Sequence, residues 1–202
     1  SWPVASSSRV AVTAPSTEQV KNETWRELRG QLRGAPTSMS RGLLPKEAFW
    51  DIGPDWFAQG FATDSAYRFQ GKHSERMLFI FEEAQGIPAW ALEEAENMCT
   101  APGNHILALG NPINPTGWYA DLFKKDSRGE GWHTVTMNCL DHPNVLERRA
   151  VIPGAVSWEW VDQHVRRNST PIDGRDKRPG DFEWPLGTGE RHAAYGLRGR
   201  QP

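Results

Sequence analysis

Met77-Leu78-Phe79-Ile80-Phe81-Glu82-Glu83 decides the fold: five apolar residues run straight into two adjacent carboxylates. A continuous apolar run of that length predicts a strand buried on both faces, as in a parallel sheet. In open α/β sheets, ligands sit beyond the carboxyl ends of the strands. Glu82 and Glu83 are therefore expected at a ligand-binding edge. Two carboxylates there can divide two tasks: one holds Mg²⁺, usually through water, and its neighbour polarises an attacking water. The same string also reads as a core strand that ends in solvated acids.

A second apolar run, His105-Ile106-Leu107-Ala108-Leu109, ends in Gly110-Asn111-Pro112, a strand followed by a breaker. Between the runs lies a predicted helix, about Pro88 to Met98. Pro88 suits the first turn and Gly103 lies just past the end. Strand, helix and strand over about 30 residues make a βαβ unit. Both strand ends then carry polar groups to one edge of one sheet. Asn111 can donate to a phosphate oxygen and accept from a water at once, which suits a γ-phosphate sensor. Taken alone, an Asn that caps the turn before Pro112 is the plainer reading.

Outside that unit, Arg9 to Thr13 reads as a strand. Ser16 with Gln19 forms a capping box for a helix to about Leu32, with Val20, Thr24 and Leu28 on one face and Trp25 and Leu32 beside it. Trp56 to Ala62 alternates and suits an edge strand. Trp118 to Lys124 pairs Trp118 with Leu122 and Tyr119 with Phe123 at helical spacing. Trp132 to Met137 alternates as a further strand. Ser157 suits the cap of a helix to Arg167, with Trp158, Val161 and Val165 on its buried face.

Several stretches in this order resemble the large terminase subunit of tailed bacteriophages, the ATPase motor that packages DNA into the procapsid. They are Arg9 to Val20, Phe69-Gln-Gly-Lys-His73, Met77 to Pro88, Leu109-Gly-Asn-Pro112, Asp141-His-Pro-Asn144, Ile152-Pro-Gly154 and Gly180-Asp-Phe182. The resemblance covers roughly residues 8 to 185. It implies a P-loop NTPase-like α/β fold, incomplete, with a mostly parallel sheet flanked by helices. It makes the acidic strand end a Walker B motif. It implies ATP and Mg²⁺ as cofactors, with Glu83 as the base, Glu82 on Mg²⁺, and Gly110 and Asn111 at the nucleotide. It also implies double-stranded DNA, portal protein and small terminase subunit as partners. The motor would be a homo-oligomeric ring at the procapsid portal in the host cytoplasm.

Phosphoryl transfer needs positive charge on its transition state, and motors often take it from a neighbouring subunit as an arginine finger. In terminases a basic residue facing the adjacent subunit lies in the segment before the acidic strand, which nominates Arg68. Arg41 and Arg76 compete, and a surface Arg in an ion pair is the plainer reading of each. Lys72 and His73 read as solvated loop residues.

Two departures stand out. Glu82 occupies a position where many relatives carry Asp. No Gly-x-x-x-x-Gly-Lys-Ser/Thr occurs in the 202 residues, although that loop supplies the backbone N–H groups, Lys and hydroxyl that hold phosphates and Mg²⁺. The expectation is the middle portion of a longer motor protein: a partial ATPase domain over 8–165, then a linker or tail over 166–202 toward a nuclease domain. A non-catalytic module that contacts DNA or portal is the first rival. A different P-loop translocase or helicase is the second.

Composition agrees with one domain and a tail. Hydrophobic residues at 38%, with ten Trp, suffice for a core. The net charge of −2 offers DNA no global attraction. From Arg166 onward eight Lys/Arg face five Asp/Glu, a modest excess in a Gly- and Pro-containing stretch. Cys99 and Cys139 match no metal or disulfide spacing and are expected as reduced thiols. No apolar run approaches 18 residues, so no membrane span is predicted.

Overall fold

Five strands build the sheet around the apolar run 77–81. The computed structural model describes residues 8–36, 44–53, 55–63, 74–111, 113–124, 131–168, 170–172, 182–185 and 192–196. The chain divides into two units, Ser1–Thr134 and Val135–Pro202.

The first unit holds β1 (Ser8–Ala14), β2 (Phe49–Gly53), β3 (Trp56–Ala62), β4 (Arg76–Phe81) and β5 (His105–Ala108). Their order is β2-β3-β1-β4-β5. β3, β1, β4 and β5 run parallel, and only β2 is antiparallel to its neighbour. This is the α/β class with a mostly parallel sheet expected from the sequence.

Two helices, α1 (Trp25–Gly34) and α2 (Ala89–Met98), lie on opposite faces. α2 follows Pro88 and buries Ala91, Leu92, Ala95 and Met98 at helical spacing. They cluster with Met77, Phe79 and Phe81 of β4. The opposite face of the sheet gathers Val12 and Ala14 with Val20 and Trp25, and Ile80 of β4 packs there half-buried. β4 is thus buried more deeply on the α2 face than on the other.

The helix after β1 starts on the predicted capping box. The Gln19 amide donates to Ser16 Oγ at 3.2 Å, and the Ser16 amide donates to Gln19 Oε1 at 3.1 Å. Its first turns are unexpected: Gln19–Thr24 winds as a π-helix before α1. The wider turn brings Val20 and Trp25, five residues apart, onto the sheet together, both almost fully buried. Gly60 of β3 makes room for them. A Cβ there would lie 2.4 Å from Val20 Cγ1 and 2.9 Å from Trp25 Cζ3. Gly60→Ala is expected to cost about 1–3 kcal/mol by overpacking, read as a lower urea midpoint at constant slope. An unchanged midpoint would mean that the π-turn lifts off the sheet freely.

Three sequence expectations need correction. Trp56–Ala62 is not an edge strand, because β2 pairs with its outer side. β2 is short, its register shifts between Asp51 and Gly53, and it gives little alternating signal. The stretch 132–137 joins no sheet, with Val135 and Met137 exposed. Alternation of side chains cannot by itself supply a partner strand for the backbone groups. The stretch 166–202, expected as a linker, carries β6 (Thr170–Ile172), β7 (Phe182–Pro185) and β8 (His192–Gly196), paired antiparallel in the order β6-β8-β7.

The short helix α3 (Trp118–Asp121) belongs to the first unit. The second unit also holds α4 (Pro143–Leu146) and α5 (Trp158–Asn168). Ser157 caps α5 as predicted, accepting from the Trp160 amide at 3.2 Å. Val161 and Val165 pack on Val145. Asn144 is buried and clamps the following loop: its amide nitrogen donates to Ile152 O and Val156 O, and its oxygen accepts from the Ile152 amide. Cys99 and Cys139 are both free thiols, and burial pushes Cys99 up to about 11. Among the described residues no helix is long and apolar enough to cross a membrane.

Candidate functional site

β1 and β4 end side by side, with Thr13 opposite Phe81. The ladder continues one residue further, because the Glu82 amide donates to Thr13 O at 2.8 Å. Buried Thr13 is itself fixed, its hydroxyl donating to Phe61 O at 2.8 Å. On the other side, the Leu109 amide donates to Phe81 O and the Ala84 amide to Leu109 O, each at 2.8 Å. The acidic pair is therefore gripped by backbone from both neighbouring strands.

Glu83 sits in the left-handed region, φ 50° and ψ 47°. For a residue with a Cβ this costs about 1–2 kcal/mol, and the hydrogen bonds on either side hold it there. Glu47, Asp55 and Arg148 share a positive φ, so the conformation alone does not mark a site. Its effect here is geometric. Successive side chains of a strand point to opposite faces, yet Glu82 and Glu83 line one cleft. The left-handed turn allows this.

The cleft, about 310 Å³, is lined by Gln19, Glu23, Thr24, Arg26, Glu27, Glu82 and Glu83. The π-helical turn supplies its second wall. Four carboxylates face one guanidinium, and their effect is visible at Glu82. Burial, then the charges of Glu83 and Glu23, hold its carboxyl above the usual range. A bound cation would relieve that repulsion. Among the described residues no group of three or more His, Cys, Asp or Glu is arranged around a common metal position. The carboxylate pair fits Mg²⁺, which takes one or two carboxylates and completes its shell with water and phosphate oxygens.

Gly110 and Asn111 leave β5 at the same sheet edge. A Cβ on Gly110 would stand 3.1 Å from the Ala84 amide nitrogen and 3.4 Å from the Tyr119 ring. The turn therefore lies directly against the acidic corner. Asn111 is exposed there, and its carbonyl accepts from the Ile113 amide at 2.8 Å. Glu82, Glu83, Gly110 and Asn111 are thus brought to one edge. Arg68 lies outside the described residues, as do Arg41, Lys72 and His73. Arg76 begins β4, six residues and roughly 20 Å from Glu82 at strand rise, so it does not reach the acidic pair of its own chain.

Sequence reasoning missed the residues of the π-turn wall, and also Gln85, whose Oε1 accepts from the Ile113 amide at 3.3 Å, and Tyr119, whose hydroxyl donates to Gly110 O at 3.0 Å. The wall had a usable signal. β1 and β4 are parallel neighbours, so the helix that follows β1 must begin at the edge where β4 ends. Gln85 and Tyr119 had none, because Ile113 lies 28 positions beyond Gln85 and Gly110 belongs to a different turn from Tyr119.

No family model matches the sequence, and no curated protein matches it. Among solved structures, the chain is similar to the large terminase from a thermophilic bacteriophage. The TM-score is 0.46 at 16% identity, over 59% of this chain and 30% of that one. The same terminase in complex with ADP gives a TM-score of 0.44 at 16% identity, over 59% of this chain and 29% of that one. The chain thus spans under a third of the length of those structures.

Proposed function

We propose that this chain is the acidic-pair and sensor part of an ATP-driven motor that moves double-stranded DNA into a viral procapsid, of the large terminase type. One observation carries the reading. Two adjacent carboxylates end a buried parallel strand, line one cleft, and share their sheet edge with the Gly110-Asn111 turn. In this reading Glu82 holds Mg²⁺, which when bound neutralises charge on the transferring phosphoryl group. Glu83 orients the attacking water and takes up its proton. Asn111 distinguishes the nucleotide with its γ-phosphate from the one without. Arg68 completes a neighbouring subunit's site. The partners are the portal protein, the small terminase subunit and copies of this chain in a ring, and the setting is the host cytoplasm. The phosphate loop, absent from these 202 residues, has to be supplied from outside them.

That same absence favours a second reading, a non-catalytic module that contacts DNA or portal through the same fold. Steady-state phosphate release separates the two. Residues 1–202 alone are expected near background. Joined to a segment bearing Gly-x-x-x-x-Gly-Lys-Ser/Thr, they are expected to turn over ATP on the order of once per second or faster, with stimulation by double-stranded DNA. Release that stays at background in the joined protein, with nucleotide bound, would favour the non-catalytic module.

A further inference from the structure

We propose that His142 is a pH-sensitive latch. While its imidazole is neutral it holds the start of α4 and, through Asn144, the loop 147–156; on protonation it releases both. The latch needs neither nucleotide nor metal and goes beyond the motor reading.

α4 is four residues long and opens on Pro143, which has no N–H to offer. The Val145 and Leu146 amides donate to His142 O at 2.8 and 3.0 Å, and the Glu147 amide donates to Pro143 O at 2.9 Å. The Asn144 amide is then the donor of the first turn that needs a side chain. It donates to His142 Nδ1 at 3.2 Å. Asn144 is only 2% exposed, so water is no ready substitute, and a buried amide without an acceptor is costly. Nδ1 accepts only while it carries a lone pair. The neutral imidazole with its proton on Nε2 has one there. The imidazolium carries a proton on both nitrogens and has none. His142 is thus an N-cap whose capping atom a proton removes. Ser157, which caps α5 through its hydroxyl, has no such dependence.

Loss of the cap reaches beyond one turn because of the Asn144 side chain. Its nitrogen donates to Ile152 O at 2.9 Å and to Val156 O at 3.0 Å, and its oxygen accepts from the Ile152 amide at 2.7 Å. These three bonds fasten the far end of the loop that leaves α4 and enters α5 after Ser157. All of them depend on where the first turn of α4 stands. Histidine is the side chain whose charge changes between about pH 5 and 8, and the geometry fixes the sign: the acceptor is present at the upper end and is lost as the pH falls. Several other charged or titratable groups lie on the neighbouring elements. The free thiol of Cys139 and Asp141 precede His142 in one turn. Past α4, Glu147 pairs with Arg149, and the Arg148 guanidinium lies 4.5 Å from the centre of the Trp158 ring. α5 carries Glu159, the pair Asp162–Arg166, Arg167, and His164, which stacks on Trp160. His164 is therefore the histidine that competes with His142 for any pH effect in these elements.

Protection of the Asn144 and Ile152 amides against hydrogen exchange, each referred to its intrinsic rate at the same pH, tests the latch in the 202-residue chain. Between about pH 7.5 and about pH 5, protection of both is expected to fall about five-fold, the worth of a typical N-cap. His142→Asn keeps a capping oxygen that no proton removes. It is expected to abolish the fall and to keep the protection seen at the higher pH. His142→Ser, a second cap of the same kind, is expected to match it. His142→Ala is expected to show low protection at both pH values, and His164→Gln to leave the fall in place. Protection within β1 and β4 reports that each variant is folded. Equal protection of the unsubstituted chain at both pH values would overturn the latch. So would a fall that persists in His142→Asn and His142→Ser, or one that disappears in His164→Gln.

Discussion

Glu83→Gln, in a protein that joins these residues to a phosphate loop, is expected to bind ATP tightly and hydrolyse it about 10² to 10⁴ times more slowly. That is the usual range for losing a positioned acid or base. The amide keeps the size of the side chain, so the left-handed corner and its backbone contacts to Leu109 and Thr13 persist. The negative charge and the capacity to accept a proton are lost, and with that charge one of the causes that raise the Glu82 carboxyl. Glu82→Gln is expected to act differently. A neutral amide is a poor ligand for a hard cation, so the Mg²⁺ concentration needed for half-maximal hydrolysis should rise. The raised proton affinity of Glu82, set by burial and by Glu83 and Glu23, also falls away in that variant. Filter binding of labelled ATP alongside phosphate release separates the two effects. Normal hydrolysis by Glu83→Gln with ATP trapped by Glu82→Gln would reverse the two assignments. If neither substitution matters, the strand is only core and the motor reading fails.

The parts of this fold that were legible in the sequence are those set by short-range chemistry. The apolar run of β4, the Pro88 start of α2, the Ser16–Gln19 capping box and the Ser157 cap each declare themselves within a few residues. The common edge of Glu82, Glu83, Gly110 and Asn111 was also legible, because a βαβ unit forces both strand ends to one side. What stayed hidden depends on contacts between distant segments. The π-turn exists because Val20 and Trp25 must both seat beside Gly60 of β3, far along the chain from either. β3 became interior because β2 covers it, and 132–137 stayed unpaired because no strand arrives beside it among the described residues. Gln85 reaches Ile113, and Trp118 reaches Ile87, across 28 and 31 positions. No local pattern announces such pairs.

The same dependence of site on core makes Phe81 the position where stability and function should fail together. Phe81 is fully buried, with its ring 6.0 Å from Phe79 and 5.9 Å from Trp118. Its carbonyl accepts from the Leu109 amide at 2.8 Å, immediately before the acidic pair. Phe81→Ala removes a whole aromatic side chain from the α2 face of the sheet and is expected to cost about 3–5 kcal/mol. That is a large share of the roughly 5–15 kcal/mol that holds a typical domain folded. Phe79→Ala, at an equally buried position two residues earlier, is expected to cost a similar amount. The two should part company at the site. Loss of Phe81 frees the Trp118 ring that anchors α3, so the Tyr119 contact to Gly110 should loosen. The Gly110 amide should then shift more in Phe81→Ala than in Phe79→Ala. Urea midpoints at constant slope give the first comparison, and amide spectra in dilute buffer give the second. A cost below about 1 kcal/mol for Phe81→Ala would mean that the core closes over the missing ring without help from β4. Equal Gly110 shifts in the two variants would mean that α3 is held in place by something other than Phe81.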